Sequence, residues 1–125
     1  VESLAEAVLV HRYGAGLASD VLLLAHHGSR SSSTERFLAA VAPRIALVSA
    51  AHRSRFGHPH PEVVARVEGR GVKILSTVES GAVTIHFRTA GGIEVAPGHR
   101  EAARRYWHRR SGRPSTDWGR MAPSP

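Results

Sequence analysis

The sequence predicts an α/β fold, because helical and strand patterns alternate along most of the chain. Three observations support this prediction. Apolar residues recur at helical spacing in several segments, short apolar runs separate those segments, and glycine or proline stands at most of the junctions. Alternating helices and strands are typical of layered α/β domains, in which the loops beyond the strand ends commonly hold the functional site.

The first half of the chain is predicted to contain helix, strand, helix and strand. Apolar residues at helical spacing predict a helix over residues 3–13, and an apolar run predicts a buried strand over residues 20–25. Ser32 and Glu35 have the spacing of a capping box, which predicts the start of the second helix. Residues 45–49 form the next apolar run and the next predicted strand. The apolar positions of the first helix are Leu4, Ala5, Val8 and Leu9.

The second half begins with a helix and a strand and then changes its pattern. Pro61 suits the first turn of a helix, which Gly69 closes before a strand predicted over residues 72–75. Residues 82–87 then alternate with period two, and a glycine-containing turn leads into residues 93–95. This pattern predicts a hairpin at a sheet edge.

Two regions of different composition divide the chain. Residues 1–97 have the composition of a folded domain, whereas residues 98–125 are rich in Arg, Ser, Gly and Pro. We expect the second region to be a basic, partly disordered tail, with a basic helix over residues 100–110 and disorder over the last dozen residues. Because the sequence starts at Val1 without a targeting segment, we expect it to be part of a longer protein.

The composition limits the kinds of site that the chain can hold. With 125 residues, the chain has room for one modest core, and its hydrophobic content of 42% is that of a globular protein. The absence of cysteine excludes disulfides and thiolate ligands, so His, Asp or Glu would bind any metal. Nine histidines are available for this role. A net charge of +7 favours polyanionic partners such as nucleic acid or an anionic membrane surface.

A histidine-rich loop follows the first predicted strand. His26 and His27 stand at the strand end, where one imidazole can face a cleft while the other makes an orienting contact. Gly28 allows a ligand to approach the backbone closely. The residues alone leave two interpretations open, a metal site and a polar loop with a satisfied histidine pair. A serine nucleophile at Ser29 is disfavoured, because no G-x-S-x-G motif surrounds it.

A second histidine-rich loop follows the next strand. Here His58 either joins a metal or phosphate site or has only a packing role. Arg53 and Arg55 precede it and carry guanidinium groups, which bind anions well. For His60 we prefer a structural role, because it directly precedes the proline that starts the third predicted helix.

Several segments of the chain resemble, in the same order, those of a known family. Residues 20–32 read DVLLLAHHGSRSS and resemble the DVL..HHGS..S signature near the end of ComEC, the channel protein of natural transformation. Residues 37–49 are similar to the family's FL..V.P..A..S segment, and residues 56–60 to its GHPH motif. The resemblance covers roughly residues 1–88, and the ordered set of segments is more specific than any single motif.

The resemblance implies a fold and a metal site. The fold would be the second half of a metallo-β-lactamase αββα sandwich, without its N-terminal half. The intact domain would bind two divalent ions, zinc or manganese, mostly through an H-x-H-x-D-H motif that this chain does not contain. His27 would be a metal ligand, with His26 in its place if the register shifts by one, and His58 would line the site or bind phosphate. Glu2 and Glu6 look like the acidic pair that follows the family's metal-bridging Gly-Asp.

The implied activity is metal-assisted hydrolysis of a phosphodiester in DNA. The ions would lower the pKa of a bridging water and hold the phosphate oxygens. The residues expected to bind phosphate or DNA are Ser29, Arg30, Arg53 and Arg55. The parent protein would lie in the bacterial inner membrane and contain a membrane channel, with this domain in the aqueous phase beside it. Alone, with an incomplete ligand set and half of a sandwich, the chain should be inactive, expose apolar surface and associate.

Two further hypotheses remain open from the sequence. One is a soluble hydrolase of the same superfamily that acts on another ester and has the same metal motif without membrane helices. The other is a non-enzymatic DNA-binding module, whose basic stretch at residues 100–113 contacts DNA and whose aromatic residues stack on bases. This last hypothesis predicts salt-dependent DNA binding that survives loss of His27 but not of the tail.

Overall fold

The computed structural model describes residues 2–50, 57–98 and 120–121. It shows the predicted mixture of helices and strands, arranged in two units, Val1–Leu75 and Ser76–Pro125. Within the described ranges, no helix has both the length and the apolar character needed to cross a membrane.

A three-stranded sheet forms part of the first unit. Its strands, in spatial order, are β1 (Val21–Leu23), β2 (Ile45–Val48) and β3 (Lys73–Ser76). Each strand lies within two residues of its predicted bounds. β1 and β2 are parallel, with Val21 opposite Ile45. Because parallel strands end at the same edge of a sheet, the loops that follow β1 and β2 leave the sheet side by side.

The first unit also contains the three predicted helices. These are α1 (Glu2–Tyr13), α2 (Glu35–Val41) and α3 (Pro61–Glu68). α2 and α3 bury Leu38, Val63 and Val67 completely. The core of the unit includes a cluster of buried apolar residues, Leu24, Leu38, Ala46, Val48, Val63, Val67 and Val72. Burying a large aliphatic side chain contributes roughly 1.5–3 kcal/mol, so packing against the sheet stabilises these short helices more than their intrinsic propensity does.

The cap of α2 differs from the predicted one. The Thr34 side chain accepts a hydrogen bond from the Phe37 amide at 3.3 Å and caps the helix. The predicted capping box at Ser32 is therefore wrong. The buried Ser32 hydroxyl turns back along the chain, to the carbonyls of Ala25 and Ser29.

The start of α3 agrees with the prediction. Pro61 is its first residue, where the missing amide hydrogen costs no helical hydrogen bond. His60 is the N-cap, and its Nδ1 atom accepts a hydrogen bond from the Glu62 amide at 3.3 Å. The structural role that we preferred for His60 is confirmed.

The first helix buries a charged residue rather than its apolar ones. The apolar residues that predict α1 lie largely on its exposed side, with Leu4 70% and Val8 56% exposed. Glu6, by contrast, is only 6% exposed. Helical periodicity therefore identified the helix but not the face that packs. The prediction that the chain associates through exposed apolar surface stays a prediction.

The second unit contains the predicted hairpin. Its elements are the single helical turn α4 (Thr77–Ser80) and the strands β4 (Ile85–Arg88), β5 (Gly92–Val95) and β6 (Arg120–Met121). β4 and β5 are antiparallel, with Ile85 opposite Val95, which confirms the hairpin. β5 also pairs with β6, which the sequence did not predict, so the interpretation of the last dozen residues as disordered is wrong at residues 120–121. The basic helix predicted over residues 100–110 lies outside the described residues.

Candidate functional site

A tight turn follows β1 and carries both histidines of the first predicted loop. We call residues 25–29 the histidine turn. His26, His27 and Gly28 have φ angles of 47°, 57° and 79°, all in the left-handed region. That region is uncommon for residues other than glycine, so two successive histidines there need support from the surrounding chain. Inside the turn, the Ser29 amide donates to the His26 carbonyl at 3.1 Å.

The His27 ring is oriented by a backbone carbonyl. Its Nδ1 atom is hydrogen-bonded to the carbonyl of Ser49, directly after β2. Since a carbonyl can only accept, Nδ1 carries the hydrogen, and Nε2 of the neutral ring keeps its lone pair. His27 is exposed to solvent. A histidine that donates one ring N–H to a carbonyl and presents the other nitrogen has the usual arrangement of a metal ligand.

The described end of the second histidine-rich loop, residues 57–60, lies directly against this turn. The His60 amide donates to the Gly28 carbonyl at 2.9 Å. A β-carbon at position 28 would lie 2.8 Å from the Pro59 β-carbon, so glycine alone fits there without a shift. Packing against Pro59 is a structural reason for glycine at this position, and close approach of a ligand to the Gly28 backbone stays a prediction. Residues 59 and 60 of the second loop therefore lie next to the histidine turn.

The other two histidines predicted for a metal site differ in exposure. His26 is exposed, and its backbone has a left-handed φ of 47° rather than the extended conformation of a strand. His58 is half-buried, and its Nδ1 atom is fully buried. The Gly28 to Pro59 contact keeps the backbone next to His58 close to the histidine turn.

The residues predicted to bind phosphate are only partly described. Arg30 is exposed beside the histidine turn, and the Ser29 hydroxyl lies 3.2 Å from the Ser31 hydroxyl. Arg53 and Arg55 lie outside the described residues, so their role stays a prediction.

The chemistry of the histidine turn suits a divalent metal ion. A neutral imidazole with an available nitrogen is a common ligand of zinc and other transition metals. Among the residues that the structure describes, no group of three His, Asp or Glu side chains is placed to hold an ion. The described residues therefore offer one oriented imidazole, that of His27, and a complete metal site would need further donors.

A carboxylate and a guanidinium hold the chain that follows the histidine turn. Glu6 accepts hydrogen bonds from the Ser33 amide at 2.6 Å and from the Thr34 amide at 2.8 Å. Arg66 donates from Nη1 to the carbonyls of Ser32 and Ser33, at 3.2 Å and 2.9 Å. We call Glu6 and Arg66 the clamp. It fixes a stretch of backbone from both its amide and its carbonyl side.

Sequence reasoning missed the clamp. It noted Glu6 only as one of an acidic pair, and Arg66 gave no signal at all. The contacts join residues 27 to 34 positions apart, which spacing rules for single elements do not reach. A usable signal was the presence of a carboxylate in the middle of a helix with otherwise apolar neighbours.

Several known proteins are similar to this chain. Competence protein ComA of Neisseria gonorrhoeae is 45% identical over 78 residues, which are 62% of this chain and 11% of that protein. ComE operon protein 3 of Bacillus subtilis is 30% identical over 82 residues, 65% of this chain and 11% of that protein. Recombination protein 2 of Haemophilus influenzae is 34% identical over 68 residues, 54% of this chain and 9% of that protein.

The relatives indicate a competence family. The predicted resemblance to competence proteins is confirmed at this level. The competence relatives are far longer than the matched segments, so this chain spans about a tenth of their length. No family model and no solved structure matches the chain.

Proposed function

We propose that the chain is part of the metal-dependent phosphodiester hydrolase domain of a ComEC-type protein for DNA uptake, and that His27 is a metal ligand of that domain. The observation that carries the proposal is the orientation of His27. Its Nδ1–H is donated to the Ser49 carbonyl, which leaves Nε2 of this exposed residue available as a ligand. The similarity to competence proteins favours DNA uptake over hydrolysis of an unrelated ester.

The proposed domain fold is the second half of a metallo-β-lactamase αββα sandwich. The parallel strands β1 and β2, with their site loops side by side, support it. The remaining ligands and the membrane channel would belong to other parts of the parent protein, in the inner membrane, while this domain would lie in the aqueous phase. A bound pair of zinc or manganese ions would supply an activated water and a Lewis acid.

The residues of this chain would then position the metal and the DNA. His27 would hold an ion through Nε2, and His58 would line the site beside the histidine turn. Arg30 and Ser29 would contact a phosphate oxygen of the substrate, since a guanidinium and a hydroxyl both donate hydrogen bonds to anions. The net charge of +7 would favour the approach of DNA to this surface.

The test is a His27→Ala substitution at the native gene of a transformable host. We expect transformation frequency to fall by about tenfold or more, because loss of a metal ligand removes an interaction that orients the ion. The metal content of the purified parent protein should fall with it. His86→Ala is the matched control, since His86 is exposed on β4 and lies in the second unit.

Two outcomes would decide against the proposal. If His27→Ala transforms as well as His86→Ala, His27 has no part in uptake. If transformation falls while the metal content is unchanged, the turn serves DNA uptake in another way, and the role of His27 as a metal ligand is refuted.

A further inference from the structure

The buried carboxylate of Glu6 stands out from the rest of its helix. Removing a carboxylate from water is costly unless hydrogen bonds replace the lost hydration. Glu6 is 6% exposed, and each of its oxygens accepts a short hydrogen bond from a backbone amide. Such charge-assisted bonds are stronger than neutral ones. The arrangement therefore fixes two successive amides, those of Ser33 and Thr34.

The fixed stretch includes a residue in an unfavourable conformation. Ser33 has a φ of 56°, in the left-handed region that serine rarely adopts. Its amide donates to Glu6 and its carbonyl accepts from Arg66, so both of its backbone polar groups are held by the clamp. We expect this conformation to depend on the clamp, because an isolated serine would leave it.

The clamp connects to the histidine turn through Ser32, whose carbonyl accepts from Arg66 and whose amide donates to the Ser29 carbonyl at 3.0 Å. Ser32, which precedes the clamped Ser33, is fully buried. Its Oγ lies 3.0 Å from the Ala25 carbonyl and 2.8 Å from the Ser29 carbonyl, the first and last residues of the turn. A shift of the clamped backbone would therefore move both ends of the turn that carries His27.

We propose that Glu6 is a positioning residue: with Arg66 opposite, its carboxylate fixes the serine stretch after the histidine turn and thereby orients the His27 ring toward its Ser49 partner. The functional consequence rests on the proposed function, in which the oriented ring holds a metal. The structural proposal itself requires neither metal nor DNA.

The experiment is proton–nitrogen NMR of the isotope-labelled 125-residue chain, which shows which imidazole nitrogen of each histidine carries hydrogen. In the unchanged chain we expect His27 to carry it on Nδ1. In Glu6→Gln the new amide group would face a backbone N–H, donor against donor. We expect a mixture of His27 tautomers and amide exchange at Ser33 and Thr34 that is about tenfold faster or more.

Controls separate positioning from general stability. Glu68→Gln removes an exposed carboxylate of α3 and should leave the His27 tautomer and both amides unchanged. The His86 ring signals should not move in any variant. Glu6→Asp keeps the charge but shortens the side chain, and serves as the second variant if Glu6→Gln does not fold.

Three outcomes would overturn the proposal that Glu6 positions His27. One is hydrogen on Nε2 of His27 in the unchanged chain. Another is a folded Glu6→Gln or Glu6→Asp with unaltered His27 and amide exchange. Unfolding of both variants would make Glu6 a residue of the whole fold rather than of the turn. A confirmed clamp together with normal transformation of His27→Ala would refute the proposed function alone.

Discussion

Position 28 is the residue at which the two loops of the candidate site meet. Its φ of 79° is left-handed, and a β-carbon there would lie 2.8 Å from the Pro59 β-carbon. Backbone conformation and lack of space therefore both require glycine. Violating the first costs about 1–2 kcal/mol. Overpacking costs about 1–3 kcal/mol in addition.

Gly28→Ala should therefore lower the free energy of unfolding by about 3 kcal/mol, measured by chemical denaturation. Gly71→Ala is the matched control, because Gly71 has a similar φ of 73° but nothing within 4 Å of a β-carbon. We expect about 1 kcal/mol for the control, from backbone strain alone. Equal losses in the two variants would show that the Pro59 contact does not hold the loops together.

Single residues of the site were predictable to different degrees. His27 and His58 follow strands in the sequence, and the side-by-side strands explain why their loops meet. The Ser49 carbonyl that orients His27 and the clamp residue Arg66 were not predictable, because each contact depends on where the folded chain brings distant backbone. Every residue also has the same backbone carbonyl, so the sequence does not show which one will accept a given hydrogen bond.

At the scale of elements, two hydroxyl residues just before α2 have different roles. Thr34 caps the helix, whereas Ser32 binds carbonyls of the histidine turn. The capping box predicted from Ser32 and Glu35 does not form, because the Ser32 hydroxyl is hydrogen-bonded to the Ala25 and Ser29 carbonyls instead. Local spacing describes which caps are available, and packing decides which one is used.

Thr34→Ala should reduce the free energy of unfolding by about 1 kcal/mol through loss of the α2 cap. Thr89→Ala, in the exposed turn after β4, is the control and should change stability by less than about 0.5 kcal/mol. The two variants are compared by thermal melting. A melting temperature of Thr34→Ala equal to that of the control would contradict the assignment of the cap.

Most elements of the fold could be predicted from the sequence, since long periodic segments and proline or glycine boundaries are local signals. The two-residue strand β6 could not, because Arg120–Met121 has no alternation and is a strand only through its pairing with β5. The packing face of α1 also could not, because its apolar residues outnumber the one carboxylate that is buried.

At the scale of the whole molecule, the first unit presents apolar side chains to solvent. Leu4 and Val8 on α1 are exposed, and Leu23 on β1 is 61% exposed. Leu4 and Val8 are neighbours one turn apart on α1, and adjacent exposed apolar side chains favour association between molecules. We therefore expect the isolated chain to self-associate in solution.

The double substitution Leu4→Gln with Val8→Gln should shift the chain toward monomer in sedimentation velocity experiments. Ser3→Gln with Ala7→Gln is the matched control, because it adds two polar side chains to exposed positions of the same helix. We expect the control to associate like the unchanged chain. A monomeric unchanged chain, or equal association of both variants, would rule out this face as the contact.

The burial of Glu6, on a helix whose large apolar side chains are exposed, also predicts which substitutions α1 tolerates. The side chains at positions 4 and 8 are exposed and are not packed in the core. In a saturation library, many apolar replacements at these positions should therefore leave the protein folded. The side chain at position 6 must accept hydrogen bonds from two backbone amides. A shorter or an uncharged side chain would do so less well than glutamate. Neighbouring positions of one helix should therefore differ sharply in the substitutions they tolerate: many at positions 4 and 8, and few at position 6.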